Sequence, residues 1–393
     1  MITIESADSA LKNYYLGAVK EQLDTSVSPF FAAIHKSAAN VWGKNVVRTV
    51  RFGLNGGIGA GTEDGALPNA SSGSYANFVT PLKNLYGTIE ISDKAVRASQ
   101  NNEGAFVDLL NEEMEGLVRS SSFNFQRMLY GNGSGKLAKV KSAVTGGVKV
   151  DTTANLAEGM LVDAYNGDTK IASGIRITGI DHTEKTVYLS SVPAVSGSNT
   201  FLTLQNSKDL ELTGIGALFD NDGTLYGVDV SKNPWMKPYE KELQISNFNE
   251  QYLQEVIDEI EMRSGSKINF IVCSFKVKRL IQEYYKNSKY STDTVEIAGG
   301  YKAMSYNGIP IVADRFCPEG TIYLLNTDDF CLHQLCDWQW LEGDDGKVIK
   351  QVAGKPVYTA TLVKYADLIC TRPCGQGRIT GLVTDDDDGG IIL

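Results

Sequence analysis

The stretch between residues 45 and 92 limits the fold more than any other part of the chain. VVRTVRF and LYGTIEIS, near its two ends, carry the β-branched and aromatic residues of strands. Between them, Gly53 to Gly73 holds seven glycines, Pro68 and several serines, with few residues able to fill a core. Loops beyond about 12–15 residues are uncommon in compact domains. The pattern predicts a long two-stranded ribbon with a glycine-rich end. A lone ribbon is marginal in water, so it needs a surface to lie on, and a neighbouring copy of the chain can supply one.

The residues before the ribbon share this dependence. A helix is expected from Asp8 to Leu23, with Leu11, Tyr15, Ala18 and Val19 on one side. Ser28-Pro29 can start another over Phe30 to Ala39. Neither has a core of its own, so residues 1–44 read as an arm ordered by a sister copy.

After the ribbon comes the clearest helix. Phe106, Leu110, Met114, Leu117, Ser121, Phe125 and Met128 or Leu129 recur at three- and four-residue steps, with Asp108, Glu112, Glu115 and Arg119 opposite. Gly131-Asn132-Gly133 stops it. At 1.5 Å per residue it is roughly 40 Å long, a structural beam. Residues 140–210 then turn β-rich: MLVDAY, TFLTL and a hairpin with Ile175, Ile177, Val187 and Leu189 in alternation suggest a small inserted barrel or sandwich. Further on, a helix from Glu250 to Arg263 closes at Gly265. INFIVC is a buried strand. Ser274 caps a helix that turns Val277, Leu280, Ile281 and Tyr284 inward. GIPIVAD and GTIYLLN are strands. Strands dominate from Phe330 to Leu382, and Asp385 to Asp388 read as a solvated tail. The fold class is α+β.

Composition narrows the function. A length of 393 residues needs two or three compact units. No apolar run reaches the roughly 20 residues of a membrane helix. Met1 to Asn13 carries Glu5 and Asp8 and no apolar core segment, so no signal peptide is read. Net charge is −10, without a Lys/Arg stripe, so contact with nucleic acid is expected to be weak and non-specific.

Candidate chemistry fails on spacing. The six cysteines, Cys273, Cys317, Cys331, Cys336, Cys370 and Cys374, read as free thiols, mostly buried. Cys331, His333 and Cys336 lie close together, but on a strand only the first two share a face. Gly131-Asn132-Gly133-Ser134-Gly135-Lys136 has Lys136 where a phosphate loop needs its second glycine, and Gly56 to Gly61 has Thr62 in the last place of GxGxxG. Asp220-Asn221-Asp222-Gly223 lacks a calcium loop's later glycine and glutamate. His35, His182 and His333 fall in separate regions and build no triad. Tyr14-Tyr15 and Tyr284-Tyr285 suit a contact surface or a core edge alike. The acidic pairs Asp328-Asp329 and Asp344-Asp345, which a hydrolase would need in a pocket, sit in turn-like settings. No catalytic, cofactor-binding or metal residue is assigned, no cofactor is expected, and the chain reads as a non-enzyme.

The order of these elements resembles the Hong Kong 97-type major capsid proteins of tailed bacteriophages. The residues that carry the resemblance are EGLVRSSSFNFQRMLYGNGSG, like the family's helix-to-glycine stop, YNGIPIVADRFCPEGTIYLLNTDDF, like its axial strands, and YADLICTRPCGQGRITGL, like its closing peripheral strand. The resemblance implies an N-terminal arm (1–44), an extended loop (45–92) and a spine helix with part of the peripheral domain (93–139). It further implies a β-rich insertion (140–210), more peripheral domain (211–265), an axial domain (266–355) and a peripheral strand with acidic tail (356–393). It implies pentamers and hexamers of this chain in an icosahedral head around double-stranded DNA. Partners would be a scaffold, a portal and decoration or head-completion proteins, with no membrane, in a virion assembled in the host cytoplasm. The chain starts almost at the arm, which implies a separate scaffold or none. No lysine lies between Lys44 and Lys83, which speaks against the cross-link that some members form from this loop. An encapsulin-like shell and a phage tail or baseplate protein remain alternatives.

Overall fold

The computed structural model describes residues 28–94, 103–195, 199–220, 223–245, 247–287, 294–297, 301–343 and 346–382. The expected helix Asp8–Leu23, Tyr14-Tyr15, Asp344-Asp345 and the tail lie outside the described residues, as do the side chains of Phe106, Asp108, Leu110 and Glu112. No described helix is long and apolar enough to cross a membrane.

The spine helix, Glu103–Tyr130, is the expected one. Met114, Val118, Phe125 and Leu129 are buried along it. They join a core with Leu85, Ile89, Leu362, Ala366 and Leu368 from a five-stranded sheet. That sheet comprises His35–Ser37, Lys83–Ser92, Phe330–Trp340, Lys350–Gln351 and Val357–Cys370. Gly87 lies under the helix: a Cβ there would stand 2.8 Å from Leu117 Cδ1, so the helix packs closely on the strand at this point.

A second, seven-stranded sheet runs in the order Tyr239–Ile245, Gly377–Leu382, Ile322–Leu325, Phe270–Cys273, Ile309–Ala313, Tyr301–Tyr306, Thr294–Ile297. Helices Gln251–Ser264 and Phe275–Asn287 pack Leu253, Val256, Ile260, Val277 and Ile281 into its separate core. Gly265 ends the first at φ 65°, a left-handed position that favours glycine.

The domain boundaries expected at 265 and 355 are corrected by the pairing. Residues 239–264 belong with the seven-stranded sheet, not with the preceding unit. The chain leaves that sheet at the turn Thr327–Asp329, and Phe330–Trp340 pairs with Val357–Cys370 in the other one. It returns through Pro373–Gly375, so Gly377–Leu382 closes against Ile322–Leu325 rather than in the five-stranded sheet. Strand partners distant in sequence override any cut made by position.

The insertion is a closed barrel of Lys136–Val144, Gly147–Val150, Leu161–Asn166, Thr169–Asp181, Thr186–Leu189 and Thr200–Leu204, starting just after the helix stop and before the expected residue 140. Leu137, Val140, Val148, Leu156, Val162, Ile177, Val187 and Leu202 fill it. Ile177 pairs with Leu189 across the expected hairpin.

The arm is also corrected. Ser28 Oγ accepts from Phe30 N and starts a helix, but it runs only over Pro29–Ala33, because His35–Ser37 extends and pairs in parallel with Cys331–His333. Phe30 meets Phe330 edge-on at 5.4 Å and Phe31 meets Phe125 at 5.1 Å. The described part of the arm is therefore ordered by its own chain and needs no sister copy to clasp it.

Candidate assembly surface

The ribbon has a different second leg from the one expected. Asn45–Arg51 pairs with Tyr75–Pro81, whereas Lys83–Ser92 turns away and pairs with Val357–Cys370. Alternation sets the first pairing: Val46, Val50, Phe78 and Thr80 are buried, and most of their neighbours face outward. The stem thus lies on the molecule's own body.

Beyond Arg51 and Tyr75 the two legs part from the ladder but stay close. Phe52 N donates to Ser74 O at 3.0 Å, and a turn at Thr62–Gly65 reverses the chain through Gly65 N to Thr62 O at 3.1 Å. Between these points glycine admits close approach: a Cβ on Gly53 would lie 2.8 Å from Ser74 Cβ, and one on Gly59 would lie 3.2 Å from Pro68. Without side chains at these places the legs run side by side with little packing of their own. The apolar residues that remain face out, with Leu54 83%, Ile58 78% and Leu67 89% exposed. Trp42, beside the stem, is 74% exposed. Apolar groups grouped on one projecting loop mark an interaction surface more than scattered ones do.

The root of the loop is held firmly. Phe52 stacks on Trp235 at 4.4 Å and 5°, and Trp235 lies parallel to Phe78 at 6.0 Å. Beneath the stem, Asp367 accepts from Thr80 Oγ1 (2.9 Å), Thr213 N (2.8 Å), Thr213 Oγ1 (3.1 Å) and its neighbour Leu368 N (3.0 Å). Its burial pushes the carboxyl pKa up, and these donors oppose the shift. His333 bonds through Nδ1 with Ala39 O at 3.1 Å and through Nε2 with Arg48 at 3.3 Å. Burial, with Arg48 adding to it, holds the imidazole below its usual range. Where the barrel rejoins the body, Arg127 of the spine helix donates to Glu211 at 2.5 Å, both nearly buried.

The residues weighed for chemistry occupy the following places in the fold. All six cysteines are free thiols, and four are buried. Cys273 is pushed up to about 12 by desolvation, which suppresses its reactivity. Cys331 and His333 line one polar cavity of about 630 Å³, as their shared strand face implies, and Cys336 is not among its lining residues. Among the described residues no group of three His, Cys, Asp or Glu side chains is placed to hold a metal. Asn132 Oδ1 accepts from Ser134 N and Oγ, tying the glycine segment 131–136 into a turn. Asp220 accepts from Arg378, and Asn221 and Asp222 lie outside the described residues. His182 bonds Thr153, and His35 lies 3.8 Å from Asp328 at the surface. Asp329 accepts from Gln376 in its turn. Tyr284 packs between Phe248 and the buried Tyr285, a core edge. No local pattern points to the stack of Phe52 on Trp235, because the two residues lie far apart in the chain.

No protein-family model matches the chain, and no curated protein sequence matches it. Solved structures do. The cyanophage A-1(L) capsid asymmetric unit aligns over 91% of this chain and 93% of its own, with TM-score 0.57 and 12% identity. The capsid of a native GTA particle aligns over 91% of each chain, with TM-score 0.47 and 11% identity. The holo-SrpI encapsulin complex from Synechococcus elongatus PCC 7942 covers 94% of this chain and 92% of its own, with TM-score 0.45 and 9% identity.

Proposed function

We propose that this chain, which has the Hong Kong 97-type capsid fold, is the major capsid protein of a tailed bacteriophage. Copies of it close into pentamers and hexamers and these into an icosahedral head around double-stranded DNA. The observation that carries the reading is the glycine-rich loop: Leu54, Ile58 and Leu67 project into solvent from a stem clamped on the body. A surface of this kind gains free energy by covering a neighbour, at about 25 cal/mol for each Å² of apolar surface removed from water. The loop and the patch that receives it are different surfaces, so the contact is head-to-tail and closes rings when the rotation fits.

The charge supports the same reading. At −10 the chain tolerates packed DNA without gripping it, and what contact it makes is non-specific. The chain performs no chemistry on its partners in this reading. A scaffold, a portal and decoration or head-completion proteins are its further partners, and the virion, assembled in the host cytoplasm, is its place.

Negative-stain microscopy of the purified chain tests the proposal. Closed shells of uniform diameter are expected, and a variant without Gly53–Gly73 should stay soluble and folded while forming none. Normal particles from that variant would overturn it.

A further inference from the structure

His333 and Asp367 stand directly opposite each other on neighbouring strands, and neither has exposed surface. Each reaches a different leg of the ribbon. His333 meets Arg48 on Asn45–Arg51, and Asp367 meets Thr80 on Tyr75–Pro81. His333 also holds the arm through the Ala39 carbonyl. Apolar contact from Val46 and Phe78 presses the stem onto the sheet, but it is non-directional. The hydrogen bonds fix the angle at which the stem leaves the body.

We propose that this cross-strand pair is an acid-sensitive seat for the ribbon. Protonation of His333 ends the Arg48 contact on the leg Asn45–Arg51, while the Ala39 bond keeps the arm and Asp367 keeps the other leg, so the paired stem loosens at its Arg48 edge and tilts about the Asp367 side. The tautomer follows from the partners. Ala39 O can only accept, so Nδ1 carries the hydrogen; the guanidinium can only donate, so Nε2 offers its lone pair. A second proton would go on Nε2, where it ends the Arg48 bond and sets two cations against each other. The other charged or titratable groups around His333 are few. Cys331 shares its face, and Asp367, across the strand pair, is already committed to four donors. Lys83 acts on Asp367, and His35 and Asp328 line the far wall of the cavity. That cavity, of about 630 Å³ and bordered by Trp42 and Arg48, gives water a route in and the guanidinium room to leave.

The sign follows from burial and Arg48, which lower the pKa of the seated imidazole. Below about pH 6.5, the ordinary imidazole value, the released form binds more protons than the seated one. The seat is therefore fully stabilised above that pH and weakens as pH falls toward the lowered value.

Hydrogen exchange on the full-length, unassembled chain tests this, so the outcome is independent of whether shells form. Exchange is compared at about pH 7.5 and about pH 5.5, either side of the imidazole value, after correction for intrinsic rates. In the wild type, peptides over Asn45–Arg51 should exchange faster in acid, up to about tenfold at one pH unit below that value, whereas those over His35–Trp42, still held through Nδ1, should not. The barrel should not change and serves as reference. His333→Gln keeps a donor for Ala39 and an acceptor for Arg48 but does not titrate, so its acid response should vanish. Should that variant not fold, Arg48→Gln, which keeps a donor and loses the charge, should show a smaller response than wild type. No acid response in the wild type overturns the proposal, as does a response equal in the wild type and the folded variant.

Discussion

The barrel and the glycine-rich loop are both excursions from the same body, and they settle their backbone and apolar groups in opposite ways. The barrel closes on itself, so each strand has two neighbours and no edge is left open. Its core is a cluster separate from the other two. The loop has no ladder beyond Arg51 and Tyr75 and leaves its large apolar residues in water. An element that satisfies itself can be carried as a passenger. One that does not must be satisfied by something else, and a second copy of the chain is always at hand.

The widest contrast comes from removing each element. Joining Lys136 to Gln205 through a two-glycine bridge should leave a body with its cooperative melt intact and its ability to assemble retained, whereas loss of Gly53–Gly73 abolishes assembly; melting followed by microscopy checks both. An excised barrel that also abolishes assembly would break the comparison. Next in size is the anchor of the barrel. Arg127→Met leaves Glu211 as an unpaired buried charge and should cost about 3–5 kcal/mol in urea unfolding, and adding Glu211→Leu should recover most of it. Within the barrel, Leu202→Ala empties a fully buried site and should cost about 2–5 kcal/mol. The smallest stability effect belongs to the loop: Leu67→Ser should change unfolding by about 0.5 kcal/mol or less and yet raise the concentration needed for assembly, measured by light scattering.

Legibility in the sequence followed the range of the interactions. The spine helix, the helix closed by Gly265 and the hairpin around Ile177 and Leu189 are set by neighbours a few residues apart, and their patterns give them away. Tyr75–Pro81 did not show itself, because only Phe78 and Thr80 turn inward and the glycine run before it masks where the strand begins. Lys83–Ser92 read correctly as a strand, but its partner lies more than 260 residues further on. The arm's docking rests on Phe30 and Phe31 finding Phe330 and Phe125, and no local pattern encodes that. For the candidate surface, the glycine run itself was the visible signal. The seat beneath it was not, although the shared face of Cys331 and His333 was read, because Arg48 and Thr80 arrive from almost 290 residues away.

The crossings into and out of the barrel have one more consequence. Ser134 and Asp209 are joined backbone to backbone at 3.0 Å, and Gly135 sits at φ 75° with no space for a Cβ beside Ser207 O. From the body's side, some seventy residues of chain amount to a single tight bend. Any module whose own two ends meet as closely can be grafted at that doorway, at the cost of little more than the ion pair between Lys185 of the barrel and Glu319 of the body.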